Sequence, residues 1–349
     1  MNHPIEQQSS WQRRVAFARR GAIGAGVVVT TLLVAISIER PNSAAAPAPA
    51  PVSRARLAGI AAGPHVVFRH TGVDSSYSAL SIAALGASTA RDRAAAGLSC
   101  ERVSFSRDRG ICLQADRGVF TTYKAVVFDR DFNAIRTIAL DGSPSRTRIS
   151  PDGRVGTLTV FVGKDLGYTS STFSTRTLLV DMASGEVLAD LEQFTVWRDG
   201  ARFKAPDFNF WGVTFARDSN VFYATLRTQA STYLVRGDLG LRKLTVLHEN
   251  VECPSLSPDN RRIAYKRRVG PLPDAWRLYT LDLASMTERP IAAETRFIDD
   301  QAEWLDDAHV LYAVPRQGTA TTDAWVAPIE GDGPARIFLE EAESPIVVR

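Results

Sequence analysis

Short apolar segments alternate with polar turns from residue 64 to residue 349, and one turn sequence recurs among them. An apolar strand runs into Ser-Pro-Asp-Gly or Ser-Pro-Asp-Asn, and a second strand follows, at residues 148–162 and 255–265. Proline presets φ, aspartate bonds its own backbone, and glycine or asparagine tolerates positive φ, so this sequence is typical of a tight turn. Degenerate copies lie at residues 103–111, 213–223 and 302–312.

A second hairpin pattern follows each copy of the first. It consists of a strand, a tight polar turn and another strand, and it is clearest at residues 178–188 and 278–288. Each unit therefore contains two hairpins, or four strands. Successive units start 41 to 47 residues apart, except for one interval of 66 residues. This spacing is typical of the blades of a β-propeller.

Five full units lie between residues 98 and 340, and the chain ends supply the material for one more. Residues 65–70 and 79–85 have the pattern of strands, and residues 344–348 have the pattern of an innermost strand. A propeller closes its ring by building one blade from both ends of its chain. We therefore predict an all-β, six-bladed propeller at residues 63–349, with five or seven blades as the alternatives.

The N-terminal region has a different pattern. Residues 21–38 carry no charge over 18 positions, which is near the lower limit for a helix that spans a bilayer. Arginines precede this segment, and their excess on its N-terminal side predicts a cytoplasmic tail at residues 1–20, a transmembrane helix or signal anchor at 21–38, and a propeller outside the cytoplasmic membrane. The alternative is a signal peptide cleaved near residues 43–46, which predicts a secreted or periplasmic protein.

Residues 39–62 are rich in alanine and proline and form the predicted tether between the apolar segment and the propeller. Such a sequence favours extended polyproline II and acts as a semi-rigid spacer.

The formal net charge of +3 resides in the tail, where Arg13, Arg14, Arg19 and Arg20 stand against Glu6. The remaining residues sum to zero. Because the domain has no net basic field, we predict no nucleic-acid partner.

The recurring Ser-Pro-Asp-Gly turns and the unit Leu-Val-Asp-x-Ala-Ser-Gly-Glu at residues 179–186 resemble the WD-like propeller repeats of the periplasmic TolB family. The resemblance covers residues 63–349. It implies a six-bladed, extracytoplasmic, non-enzymatic interaction scaffold. TolB proteins carry a separate α/β domain before the propeller, where this chain has an apolar segment and a tether. The resemblance therefore does not extend to the TolB–Pal set of partners.

Motifs of catalysis and metal binding are missing. The chain has no Gly-x-Ser-x-Gly elbow and no His-Glu-x-x-His, and its five histidines are scattered. The run Asp129-x-Asp131-x-Asn133 imitates the start of a calcium loop, but Ala134 and Leu140 replace the required glycine and glutamate, so we expect an ordinary turn. We predict no catalytic residue, no cofactor and no metal site.

Cysteine usage leaves two interpretations open. No Cys-x-x-Cys pair occurs among Cys100, Cys112 and Cys253. An oxidising compartment would allow a disulfide between Cys100 and Cys112, which are close in sequence. Buried free thiols in strands are the other possibility.

The interval of 66 residues contains two insertions, at residues 163–175 and 195–211. They follow the second and fourth strands of one unit, so we expect them beside each other on one face. Aromatic and arginine side chains are enriched at binding hot spots. Phe210 and Trp211 are expected to start the next inner strand. The candidate partner-binding residues are Tyr168, Phe173, Trp197, Arg198, Phe203, Lys204 and Phe208.

The leading functional hypothesis is a non-catalytic binding or scaffold protein of the cell envelope that engages a protein or a cell-wall component. One alternative is a sensor ectodomain that signals through the cytoplasmic tail. The other is an enzyme with its site in the central channel of the propeller.

Overall fold

The Ser-Pro-Asp turns adopt one repeated geometry in the computed structural model, which describes residues 53–86, 92–163, 167–168, 173–271, 275–331 and 333–349. The hydroxyl of Ser150 donates to Asp152 at 2.6 Å and accepts the N–H of Val155 at 3.0 Å. Gly153 takes a φ of +75° to complete the turn. The turn at residues 257–260 makes the same bonds, so the shared sequence produces the shared geometry.

The second hairpin pattern also depends on one aspartate. A carboxylate oxygen of Asp181 accepts the N–H groups of Ala183 at 2.9 Å and Ser184 at 2.7 Å, and Gly185 takes positive φ. Asp282 makes the corresponding bonds further along the chain. Both turns reverse the chain between the third and fourth strands of a blade.

Six sheets make up the domain, and each sheet is one blade whose strands are ordered from the innermost to the outermost. Blade 1 contains β26 (Ala342–Val348), β1 (His65–His70), β2 (Ala79–Ala84) and β3 (Arg93–Ser99). Blade 2 contains β4 (Arg102–Ser106), β5 (Arg109–Arg117), β6 (Thr121–Asp129) and β7 (Ala134–Leu140). Blade 3 contains β8 (Ser143–Ile149), β9 (Val155–Val162), β10 (Ser174–Asp181) and β11 (Val187–Asp190).

The other three blades follow in chain order. Blade 4 contains β14 (Asn209–Phe215), β15 (Val221–Thr228), β16 (Ser231–Asp238), β17 (Lys243–Glu249), β12 (Thr195–Arg198) and β13 (Ala201–Phe203). Blade 5 contains β18 (Glu252–Leu256), β19 (Arg262–Arg268), β20 (Trp276–Asp282) and β21 (Glu288–Pro290). Blade 6 contains β22 (Glu303–Asp306), β23 (His309–Pro315), β24 (Thr322–Pro328) and β25 (Arg336–Leu339).

The inner strands form a closed ring. They contact one another in the cyclic order β4, β8, β14, β18, β22, β26 and back to β4. The last strand, β26, pairs with β1 in antiparallel register from His65 opposite Val348 to His70 opposite Ala342. The prediction of six blades, closed by the C-terminal strand on the N-terminal blade, is therefore confirmed.

Strand direction gives the ring two distinct faces. Turns between the first and second strands of a blade, and between its third and fourth strands, lie on what we call the turn face. Loops between the second and third strands lie on the opposite loop face, because adjacent strands are antiparallel.

Part of the predicted tether is folded. Residues Arg54–Ala61 form helix α1, which begins at Ser53, whose side chain accepts the N–H of Arg56. Leu57 is buried against blades 1 and 2, and Arg54 donates to Asn133 at 2.9 Å. The helix therefore packs beside the turn face.

The cysteines separate into a pair and a single thiol. Cys100 and Cys112 form a disulfide that ties the segment after β3 to β5. Cys253 is free and buried, and burial raises the pKa of its thiol.

The predicted tail and apolar segment, residues 1–38, lie outside the described residues. Among the residues that the structure does describe, no helix has the length and apolar character needed to cross a bilayer.

At two glycines, the neighbouring strand leaves no room for a side chain. A Cβ atom at Gly110 would lie 1.9 Å from the ring of Phe128, its partner across the β5–β6 pair. That ring is fully buried and stacks on Phe105 and Phe132, so it has no room to retreat. Gly237 and Phe222 repeat the arrangement in blade 4.

We expect Gly110→Ala to lower the free energy of unfolding by about 1–3 kcal/mol, the usual cost of overpacking a core. Gly63→Ala is the matched control, because nothing lies within 4 Å of a Cβ atom there. Chemical denaturation of both variants measures the difference. Equal stabilities for the two variants would contradict this packing.

Candidate functional site

Ion pairs span the central channel of the ring, so that positive and negative side chains neutralise each other there. We call these residues the channel belt. Glu343 on the closing strand β26 binds Arg69 at 2.6 Å and Arg102 at 2.7 Å. The other members of the belt are Arg146, Arg148, Lys266, Asp299 and Glu303.

Lys266 and Asp299 form the most deeply buried of these pairs. The ammonium group of Lys266 is inaccessible to solvent and donates to Asp299 at 2.5 Å. Burial disfavours the charge on Lys266, but attraction to Asp299 outweighs it, and the pKa of Lys266 is raised. Burial likewise opposes ionisation of Asp299, yet Lys266 and Arg146 lower the pKa of its carboxyl. Both groups are therefore charged and neutralise each other.

On the turn face the channel opens into a cleft of about 310 Å³. Apolar side chains such as Phe105, Phe215 and Trp304 line it. Its two channel-belt residues, Arg148 and Glu303, bind each other. The terminal N–H groups of Arg148 donate to Glu303 and to the carbonyl of Ala302, while its Nε is buried without a partner.

The described histidines lie away from the channel belt, each with a local partner. His65 bonds a backbone carbonyl, His70 contacts Asp74, His248 bonds the carbonyl of Glu249, and His309 binds Asp306. No group of three or more His, Cys, Asp or Glu side chains suited to a metal ion occurs among the described residues. Asp129 accepts the N–H groups of residues 131 and 133, so this segment is the ordinary turn that the sequence predicts.

The second insertion forms a β-hairpin at the outer edge of blade 4, which we call the edge hairpin (residues 195–203). Its strand β12 pairs in parallel with β17, and β13 then pairs with β12. Asp199 and Gly200, with φ of +51° and +77°, make the tight two-residue turn. Blade 4 consequently has six strands, where each other blade has four among the described residues.

One side of the edge hairpin packs onto the domain. Val196 is buried, and Phe203 packs against Phe208 with ring centroids 5.2 Å apart. The guanidinium of Arg198 lies 5.1 Å from the ring of Tyr233 and binds Glu249 at 2.6 Å. The candidate residues Arg198, Phe203 and Phe208 therefore hold the hairpin in place.

The opposite side carries Trp197 between two cations. The guanidinium of Arg202 lies 5.5 Å from the ring centroid, and the ammonium of Lys243 lies 5.1 Å from it. Lys204 is exposed directly after β13. Within the described part of the chain, no carboxylate lies within 4.0 Å of these three cations. We call Trp197, Arg202, Lys204 and Lys243 the cationic ledge.

The first insertion goes to a different place. Tyr168 and Phe173 are 4% and 7% exposed, and they pack with Trp211 and Trp276 beside the channel belt. Burial raises the pKa of the Tyr168 hydroxyl, which shares a hydrogen bond with Ser145. Among the described residues of the two insertions, Tyr168 and Phe173 pack inward in one cluster and the edge hairpin packs in another, so these residues do not form the expected composite face.

Lys243 was not visible from the sequence as a site residue. It lies 46 positions after Trp197 and reaches the indole only because β12 runs parallel to β17, with Thr195 opposite Lys243. Parallel addition of an inserted strand leaves no signal in the local pattern. Phe210 and Trp211, by contrast, start the inner strand β14 as expected.

Comparisons with known proteins bear on the fold. No family model matches the chain, and no curated protein does. Among solved structures, TolB from Acinetobacter baumannii matches with a TM-score of 0.56 at 15% identity, over 83% of this chain and 67% of that one. The chain has a TolB-like, six-bladed propeller fold. The wider set of neighbours shows how general this fold is.

A nidogen/laminin complex matches this TolB-like propeller with a TM-score of 0.52 at 11% identity, over 82% of this chain and 98% of that one. A putative TolB from Agrobacterium tumefaciens matches with a TM-score of 0.50 at 11% identity, over 79% and 88% of the two chains. Two proteases match with TM-scores of 0.39 and 0.49, too low to carry an argument. At such identities the likeness concerns the fold alone.

The channel belt should make stability depend on pH. Burial opposes ionisation of Glu343, but attraction to Arg102 and Arg69 outweighs it and lowers the pKa of the carboxyl. A lowered pKa contributes stability that is present above the unfolded value of about 4.3 and lost as the pH falls through the folded value. We expect Glu343→Gln to lose about 3 kcal/mol at pH 7 and to show a weaker dependence on acid.

Thermal unfolding of the two proteins between neutral and acidic pH measures this difference. Glu330→Gln is the control, because the Glu330 side chain is 65% exposed and its one ion pair with a described residue, Arg289, is 4.0 Å long. Parallel pH profiles for the wild type and Glu343→Gln would be inconsistent with a structural role for the channel belt.

Proposed function

We propose that this protein is a non-catalytic binding protein of the cell envelope, held outside the cytoplasmic membrane by residues 21–38. Its propeller engages a protein or cell-wall component that carries acidic groups, through the cationic ledge of blade 4. The observation that carries this proposal is the placement of Trp197 between Arg202 and Lys243, without a carboxylate partner for either cation among the described residues.

The cationic ledge is unusual in this domain because its positive charges have no carboxylate partner among the described residues. Most buried and half-buried arginines of the described chain bind a carboxylate or a backbone carbonyl, as the channel belt illustrates. Two cations at one half-buried indole, with the exposed Lys204 directly after β13, therefore leave local positive charge that an acidic partner could neutralise. Tryptophan and arginine are the residues most enriched at binding hot spots.

Two further observations support the proposal. The channel belt pairs its carboxylates with arginine or lysine and contains no histidine, which disfavours acid–base chemistry there. The disulfide between Cys100 and Cys112 is typical of a protein in an oxidising compartment outside the cytoplasm.

Site-directed photocrosslinking tests the proposed surface. We replace Trp197 with the photoreactive aromatic residue benzoylphenylalanine in the full-length protein and irradiate intact membranes. A discrete crosslinked product is expected. The matched control carries the same residue at Ile337, which is 42% exposed on the outer strand β25 of blade 6.

Charge reversal then separates specific binding from mere exposure. With Arg202→Glu and Lys243→Glu added, the crosslinked fraction should fall about tenfold or more, because the introduced carboxylates then repel an acidic partner. Arg289→Glu reverses the charge of another exposed arginine and should leave the crosslinked fraction unchanged. Equal crosslinking at positions 197 and 337 would contradict the proposed surface. A crosslinked fraction that does not change with Arg202→Glu and Lys243→Glu would contradict it as well.

The compartment is tested separately by the state of the thiols in cells. After rapid acid quenching, denaturation and alkylation without reductant, only Cys253 of the full-length protein should be modified, because Cys100 and Cys112 are bonded. A variant without residues 1–40 should stay in the cytoplasm and have all its thiols modified. Mass spectrometry counts the modifications. Reduced Cys100 and Cys112 in the full-length protein would argue against an extracytoplasmic domain.

A further inference from the structure

A cleft of about 420 Å³ lies on the turn face, where helix α1 meets blades 1 and 2. The C-terminal half of α1 forms one wall, and the turns after β4 and β6 form the other. Ala58, Phe105 and Val348 supply apolar contacts. The volume falls within the range of small-molecule sites, which run from about 300 to 1,000 Å³.

His65 lines this cleft and has a polar atom without a partner. The side chain lies on the same side of β1 as Val67, which packs with Phe105 and Leu57. Its Nδ1 atom lies 2.7 Å from the carbonyl oxygen of Gly63. A carbonyl oxygen only accepts, so Nδ1 carries the proton and Nε2 is left with a free electron pair.

Nε2 of His65 is buried and has no hydrogen-bond partner among the described residues. The whole residue is only 4% exposed. Burial, partly opposed by the bond to Gly63, lowers the pKa of the imidazole, so the ring is neutral at physiological pH and keeps the electron pair. A buried polar atom without a partner is costly. Seven such side-chain atoms occur in the described chain, and Nε2 of His65 is the one whose residue lines this cleft.

Charged residues of both signs surround the opening of the cleft. They are Arg107, Asp108, Arg130, Asp131 and Arg349. No ion pair within 4.0 Å joins any of them to another described residue, although such pairs are frequent elsewhere in the domain. Arg107 and Arg349 each donate to one backbone carbonyl, of Pro151 and Leu305, and have further N–H groups to offer.

These groups match a ligand with an anionic end and a hydrogen-bond donor. Arginine is the side chain best suited to a carboxylate, which it binds through two parallel N–H groups. The two aspartates disfavour a dianion such as phosphate and favour a ligand that also carries positive charge. A buried acceptor in a residue of the wall, three arginines and two aspartates together match a zwitterion.

We propose that this cleft binds a small amino-carboxylate, such as a free amino acid or the end of a short peptide. The carboxylate lies against the arginines, and the ammonium or amide N–H donates to Nε2 of His65, which a local shift of the cleft wall must first uncover because solvent does not reach this atom. The site is separate from the cationic ledge and does not depend on the function proposed for it.

Equilibrium binding to the full-length protein in detergent tests the proposal with simple probes. Glycine and glycylglycine carry both groups, acetate carries only the carboxylate, and ethylamine carries only the ammonium. We expect the two zwitterions to bind about tenfold or more tightly than acetate and ethylamine. Absence of measurable binding by glycine and glycylglycine, or equal binding of all four probes, would overturn the proposal.

Two substitutions of the histidine sharpen the test. His65→Gln keeps an acceptor near the position of Nε2, whereas His65→Asn keeps a donor for the carbonyl of Gly63 and removes that acceptor. Glycine binding should survive in the first variant and weaken about tenfold or more in the second. Equal affinities for the two folded variants would exclude His65 as a binding residue.

A rim variant keeps the test decisive if the histidine variants fail to fold. Arg130 lies at the opening and makes no ion pair with a described residue, so Arg130→Gln should leave the thermal midpoint unchanged. This substitution should weaken the binding of glycine and of acetate alike, since both probes bind through their carboxylate. Trp197→Ala, on the distant ledge, should not affect either probe. Unchanged glycine affinity in Arg130→Gln would argue against the proposed orientation.

Discussion

The pairing of β26 with β1 is the contact on which the rest of the structure depends. It joins residues nearly three hundred positions apart and converts a row of sheets into a ring. Only after closure does each inner strand have a neighbour on both sides. Glu343 lies on this closing strand and binds Arg69 of its own blade and Arg102 of the next, so ring closure and the channel belt are completed by the same segment.

The channel belt leaves the centre of the ring with its charges already paired. Isolated charges inside a protein are costly, and those of the channel are retained because they meet opposite charges at hydrogen-bonding distance. Such pairs hold neighbouring blades in register, and they leave the Nε atoms of Arg146 and Arg148 buried without a partner. Polar groups without a partner also lie at the periphery, on the cationic ledge of blade 4 and around the cleft beside α1.

Both peripheral features arise where the chain departs from its four-strand repeat. The edge hairpin adds two strands to the outer edge of blade 4, whereas blade 5 beside it has four strands among the described residues. Trp197 lies half-buried on this edge, in contact with Arg202 and Lys243. At the start of the domain, α1 precedes the first blade and packs on it, and the space beneath the helix is the cleft lined by His65. The repeated four-stranded blades form the scaffold. The edge hairpin and helix α1, which depart from the repeat, supply the two surfaces proposed to bind.

The sequence by itself determined the scaffold. Ser150 to Gly153 and Asp181 to Gly185 encode their turns locally, through side chains that bond the adjacent backbone, so the recurrence of these residues was enough to predict four strands per blade and six blades. The closing strand was also predictable, because residues 344–348 had no other unit to join. The structure of the last residues of the predicted tether was harder to predict, since the short helix α1 is held by Leu57 packing against residues distant in the sequence.

Only the tertiary structure decided what the insertions do. Tyr168 and Trp197 belong to aromatic insertions of similar appearance, yet one is buried beside the channel belt and the other stands on a sheet edge. Their neighbours, Lys266 and Lys243, come from strands far along the chain, and long-range pairing is not encoded in local alternation of apolar and polar residues. Turn chemistry is local and can be recognised in a sequence. The strand with which an inserted strand pairs depends on the tertiary arrangement of the whole ring.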